Sequence, residues 1–271
     1  MPARGFENRL CELYETYNRR EFVHPDPLEF LYDYEDLRDR EIVALIASGL
    51  AYGSVRQILR SVRSVLELMD SPYLFIVHAS RESLLKTFRH FKHRFTTGEE
   101  LARMLFAVKQ VIRHRGSLHA CFEQGLGKQD ETILPAATAF VDELSAAFGG
   151  RPRSLLPSPE AGSACKRLNL FLRWMVRRDA VDPGGWDQVP RSKLIVPLDT
   201  HMHRIALRMG LTARKQANLR TACEITEAFR RIEPEDPVRY DFALTRLGIR
   251  SDLSPEDFLR GCTGNSPNEW A

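Results

Sequence analysis

Apolar residues three and four positions apart recur along nearly the whole chain. That period, of a helix with one buried face, constrains the fold most. It predicts helices over Glu41–Leu50 (Ile42, Leu45, Ile46), Val55–Met69 (Ile58, Val62, Val65, Leu66, Met69) and Glu99–Arg115 (Leu101, Leu105, Val108, Val111, Ile112). Further helices are predicted over Thr132–Phe148, Cys165–Arg178, Arg220–Arg230 and Pro237–Leu247. In Cys165–Arg178 the buried stripe is Leu168, Phe171, Leu172, Met175 and Val176. No segment alternates apolar and polar residues with β-branched enrichment, and no hairpin dipeptide sits between strand patterns. There is no repeat and no low-complexity tract. The expected class is all-α.

Two loops interrupt the helices. Gly149–Gly162 is rich in Gly, Pro and Ser, so it reads as a linker or as the approach to a tight turn between helices. Val181–Pro197 carries Gly184-Gly185 and ends at Pro197, which disfavours helix at Val196. Asp199 or Thr200 is then a good N-cap for a helix that stops at Gly210.

No apolar run approaches the ~20 residues needed to cross a bilayer, and the N-terminus lacks the pattern of a secretory signal. Five cysteines, odd in number and without a CxxC pair, argue against a disulfide framework, a zinc site or an iron–sulfur cluster. They suit a reducing cytoplasm, and neither cofactor nor metal is expected. The net charge of +3 says little, but its distribution says more. Between Glu7 and Glu41 eleven acids face five arginines. From Arg81 to Arg115 nine bases face three acids, from Arg151 to Arg178 seven face one, and from Arg204 to Arg220 five face none. If the basic runs share a face, a polyanionic partner follows from phosphate attraction and counterion release. The plainer alternative is that each run is the solvated side of a helix.

Residues 197–211, Pro-Leu-Asp-Thr-His-Met-His-Arg-Ile-Ala-Leu-Arg-Met-Gly-Leu, resemble the segment of helix–hairpin–helix DNA glycosylases, the endonuclease III superfamily, that carries their catalytic aspartate. Asp199 falls on that carboxylate. Gly162-Ser163-Ala164-Cys165-Lys166 resembles the hairpin pattern Gly-x-Gly-x-Lys, with Lys166 on the nucleophilic lysine of bifunctional members. The second hairpin glycine is replaced by Ala164, and the span from Lys166 to Asp199 is longer than in endonuclease III. In the longer spacer the chain resembles the archaeal 8-oxoguanine glycosylases, which lack an iron–sulfur cluster. The strings SACKRLNLFLRWM, PLDTHMHRIALR and DPVRYDFALTRLGI also make the whole chain similar to a bacterial family of unknown function.

The resemblance implies a two-lobed helical unit spanning 1–271. One lobe takes about 1–40 plus 163–271, the other about 41–148, and a linker about 149–162 joins them. It further implies excision of a damaged, for instance oxidised, purine from double-stranded DNA in a bacterial cytoplasm at the nucleoid, with RNA left open as a substrate. A carboxylate under the sugar stabilises the positive charge that develops as the glycosidic bond breaks. A lysine amine can displace the base and leave a Schiff base that permits strand cleavage. A free lysine, pKa about 10.4, is protonated at neutral pH, and both Arg167 beside Lys166 and the helix start favour its neutral form. The amides of residues 162–166 (Gly162, Ser163 and Ala164 among them) offer a phosphate seat at a helix N-terminus, with Arg167 and Arg204 as basic contacts.

An everted base leaves a gap that a side chain must fill. The superfamily places this wedge at the turn matching Ala51–Ser54, which nominates Tyr52. Trp186 in the Gly-Gly loop is expected as a mobile lid over the base, whereas Trp174 is expected in the core. Lys193 is a rival amine that does not match the family position. His201 is expected to buttress the loop and His203 to lie on the helix surface. Residues i and i+2 of a helix diverge by about 200°, so Asp199, His201 and His203 make a poor metal set. The alternatives are a metal-dependent hydrolase on those three residues, or a nucleic-acid-binding module without catalysis. The acidic N-terminal stretch is expected to cover the core away from DNA.

Overall fold

The structure is a computed structural model that describes residues 4–150, 155–249 and 258. It is helical almost throughout: α1 (Arg4–Tyr17), α2 (Leu37–Gly49), α3 (Val55–Leu66), α4 (Pro72–His78), α5 (Arg81–Phe88), α6 (Gly98–Arg115), α7 (Leu118–Gln124), α8 (Leu134–Phe148), α9 (Lys166–Val176), α10 (Thr200–Arg208), α11 (Leu219–Arg230) and α12 (Asp241–Ile249). A two-residue strand pair, β1 (Lys92–His93) and β2 (Thr96–Thr97), precedes α6. The all-α expectation holds. None of the described helices is long and apolar enough to cross a membrane.

Local chemistry explains most helix starts. Asp36, Ser71, Ser80, Thr97, Ser117, Asp199 and Asn218 each cap the helix that follows through the side-chain oxygen, satisfying amides that have no partner within the helix. The helices pack in two groups. α5, α7 and α8 gather around α6, while α1 and α10 pack on α12. Between the groups α2 lies against α9, and one continuous apolar core runs through both. Leu155 and Leu156 are buried in that core, so the described end of the Gly149–Gly162 tract is packed; Arg151 and Arg153 lie outside the described residues.

α9 is more deeply placed than its apolar stripe predicts. Asn169, Arg173 and Trp174 are buried as well, so the helix is enclosed on all sides from Phe171 to Val176. Arg173 and Arg177, counted above in a basic run, point inward. Arg173 meets Asp182 and Asp241, and Arg177 meets Asp182 and Asp236. One arginine on α9 and another just past its end thus bind acids from the following loop, from the segment before α12 and from the first residue of α12. A buried arginine is tolerated when its donors find carboxylates in this way.

The following loop is not a lid. Gly184 and Gly185 adopt φ of +65° and +137°, which only glycine takes without strain. This bends the chain back along α9, so that Gly184 N–H donates to the Trp174 carbonyl and Trp186 N–H to that of Met175. The Trp186 ring is fully buried among Phe122, Phe140, Phe171 and His119. Its Nε1–H donates to Glu41 Oε1 at 2.8 Å. The expected lid is a core anchor, as is Trp174.

Candidate functional site

Lys166 is the first residue of α9, and Asp199 caps α10. Chain geometry brings them together because α10 begins where the loop returns to the start of α9. Lys166 Nζ lies 2.8 Å from Asp199 Oδ2. The other carboxylate oxygen, Oδ1, accepts the His201 and Met202 N–H groups at 2.9 and 2.8 Å. One side chain therefore starts a helix with one oxygen and binds an ammonium with the other. Burial alone would raise the Asp199 carboxyl, but the Lys166 charge and the capping amides outweigh it and hold the group below its ordinary range. With side chains 35% and 28% exposed, the pair faces solvent.

That solvent is a cleft of about 240 Å³. Gly53, Val55 and Ile58 form one wall, Lys166, Leu170, Asp199 and His201 the other. Arg173, Asp241 and Arg246 lie deeper, with Asp26 beside them. Two buried polar atoms of lining residues, His201 Nε2 and Asp241 Oδ1, have no hydrogen-bond partner. Burial lowers the His201 imidazole pKa and raises that of the Asp241 carboxyl, which Arg173 only partly offsets. A second hollow, of about 340 Å³, is walled by Glu29, Asp33 and Glu67 with Arg63, and its acids make it a poor seat for a polyanion.

The turn before Lys166 follows a short 3-10 helix, Pro159–Ala161. Gly162 takes a left-handed φ of +71°, but the second left-handed residue is Cys165 (φ +47°), not Ala164. A non-glycine residue there costs roughly 1–2 kcal/mol. The turn is held by Asn169 Nδ2, which donates to the Ala164 carbonyl at 3.1 Å, and by the Leu219 N–H, which donates to the Gly162 carbonyl. Gly162 and Ser163 are exposed, whereas Ala164 is buried and offers no surface to a ligand.

Other expected contacts are corrected. Arg167 is turned inward, donating to the Gly49 carbonyl at 2.9 Å and lying over the Tyr52 ring, so it ties α9 to the end of α2. The Tyr52 hydroxyl is bonded to the His93 carbonyl and the Thr96 hydroxyl at 2.8 and 2.7 Å, which leaves no free wedge. His203 is buried, with Nε2 on the Arg214 carbonyl, and faces away from Asp199. The Asp199/His201/His203 set is therefore split, and among the described residues no three His, Cys, Asp or Glu side chains gather as a metal site. Lys193 reaches the Gly127 and Lys128 carbonyls instead of the cleft. Arg204 remains exposed on α10. The acidic N-terminal stretch does enter the site, because Asp26 lines the cleft and pairs with Arg246 at 2.9 Å. Asp26 reads as a turn residue between prolines and Asp241 as one residue of the expected Pro237–Leu247 helix, and neither position marks a cleft until the fold is formed.

Residues 26–250 match the family described as a protein of unknown function, DUF2400. The chain belongs to that family. No curated protein and no solved structure matches this DUF2400 chain.

Proposed function

We propose that this DUF2400 protein is a DNA base-excision enzyme, a glycosylase with lyase activity on a damaged purine. Lys166 is the nucleophile and Asp199 the stabilising carboxylate and proton shuttle. One observation carries the reading: an amine and a carboxylate far apart in the chain meet at 2.8 Å in a solvent-facing cleft. The sequence resemblance over residues 162–211 supports it.

In this reading the Lys166 amine, its proton passed to Asp199, attacks the anomeric carbon. The new C–N bond replaces the glycosidic bond, whose electron pair leaves with the base, and the base takes up the proton that Asp199 relays. Once it has released that proton, the ionised carboxylate stabilises the charge on the sugar. Ring opening of the lysine adduct gives a Schiff base, from which β-elimination cuts the strand. His201 and Asp241 line the cleft beside the pair, each with a buried side-chain atom that no protein group bonds.

Borohydride trapping on a panel of duplexes, each with a single lesion, tests the proposal. The expected result is a covalent adduct with at least one duplex, lost in Lys166→Gln. Asp199→Asn should slow base release by about 100-fold or more, as removal of an electrostatic stabiliser does, and keep the helix cap because Asn caps as well as Asp. Base release without an adduct would remove the lyase step. Neither adduct nor release on any lesion, from protein that binds the duplexes, would sink the enzyme reading and leave a binding module.

A further inference from the structure

Beside the cleft stands the strand pair β1–β2, whose tip is Arg94-Phe95. Phe95 is 76% exposed, the most of any large apolar side chain among the described residues. Single exposed apolar residues are common and need no purpose. This one differs because its support is rigid and polar. Tyr52 clamps the ribbon through the His93 carbonyl, the Thr96 hydroxyl and the Thr96 N–H. The buried His93 ring bonds to the Ser61 hydroxyl at 2.9 Å and the Tyr52 carbonyl at 3.0 Å. Arg94 takes a left-handed φ of 51°, and its guanidinium lies 5.6 Å from the Phe95 ring centre. The tip also abuts the cleft wall: a methyl group on Gly53, which lines the cleft, would lie 2.8 Å from Arg94 Cδ.

We propose that Arg94-Phe95 is a stacking wedge for duplex DNA. The inference rests on the reading of the cleft as the seat of an everted nucleotide. Turning a nucleotide out leaves two neighbouring bases without a stacking partner, and an aromatic ring inserted between them restores that contact regardless of sequence. Phe95 fills the gap, and Arg94, a fixed charge beside it, meets a flanking phosphate. Tyr52 supports the ribbon from behind instead of entering the helix itself. The clamp holds the backbone on either side of the ring, so less of the tip has to be ordered on binding.

The test compares full-length wild type, Phe95→Ala and Phe95→Trp by fluorescence anisotropy. The probes are a labelled DNA duplex carrying a tetrahydrofuran abasic analogue, its intact counterpart and an RNA duplex of the same sequence. Phe95→Ala should weaken binding to the abasic duplex about 10- to 100-fold, and to the intact duplex less than about 2-fold, since only the gap offers stacking. Phe95→Trp should keep the affinity, with its indole emission quenched by the abasic duplex alone. Unchanged thermal unfolding of both variants is expected because the ring is exposed. Equal binding of the abasic duplex by wild type and Phe95→Ala overturns the wedge, as does tighter binding of wild type to RNA. If trapping through Lys166 persists in Phe95→Ala with unchanged affinity, the chemistry stands and the wedge falls. If no lesion is excised but Phe95 still discriminates the abasic duplex, the wedge stands and the chemistry falls. Wild type that binds neither DNA duplex overturns both.

Discussion

Glu41 enters the core from α2 as a carboxylate that receives the Leu118 and His119 amides, each at 3.1 Å, and the Trp186 indole N–H. Burial pushes its pKa up to about 7 from an ordinary 4.5, against the pull of those donors. Between these values the folded chain keeps a proton that the unfolded chain has lost. Stability therefore falls as pH rises through this window and levels off above it. A shift of this size corresponds to about 3 kcal/mol. Urea unfolding should show wild type losing roughly that much relative to Glu41→Gln between the two pH limits, and a constant difference would contradict the assignment. Asp199 was legible as a cap and as an acid because Pro197 and the Asp-Thr pair mark a helix start in any fold. Its bond to Lys166 was legible only through the resemblance, since spacing alone says nothing about where a loop returns.

At the scale of elements, α9 governs the site: it carries Lys166 at its first turn and the Arg173 and Arg177 ion network further along. Removing one partner of a buried network strands the others as unpaired charges, at about 3–5 kcal/mol. Arg173→Met should lower denaturant-derived stability by that amount, because Asp182 and Asp241 would lose it together. A loss under about 1 kcal/mol would mean that the acids relax or protonate without strain. The apolar period located α9 and its stripe correctly. Periodicity could not reveal that Arg173 and the C-cap Arg177 would be enclosed, because their acids come from the loop, from the approach to α12 and from its first residue. Trp186 was misread for a related reason: two glycines before an aromatic suggest mobility, yet here they supply the backbone turns that drive the ring into the core.

Across the whole molecule part of the charge in the basic runs is withdrawn from the surface or neutralised by pairing. Arg167, Arg173 and Arg177 point inward and Arg214 pairs with Glu224, whereas Arg94, Arg204, Lys215 and Arg220 stay exposed. Duplex binding should therefore have only a moderate salt dependence, a logarithmic slope of roughly −4 if those four meet phosphates. Arg204→Gln should make it shallower by about one. A slope near zero would mean that no phosphates are engaged. Local pattern revealed the longer helices but not α1, α4, α5 or α7, of which three have eight residues or fewer, and the direction of each charge depends on contacts between distant segments. The double use of Asp199 has a kinetic consequence. Releasing Oδ2 from Lys166 leaves Oδ1 on its amides, so admitting a guest needs only a side-chain swing, a picosecond-to-nanosecond event, with no backbone rearrangement. Entry should then proceed at a pace set by the visitor's own deformation, with the host waiting open.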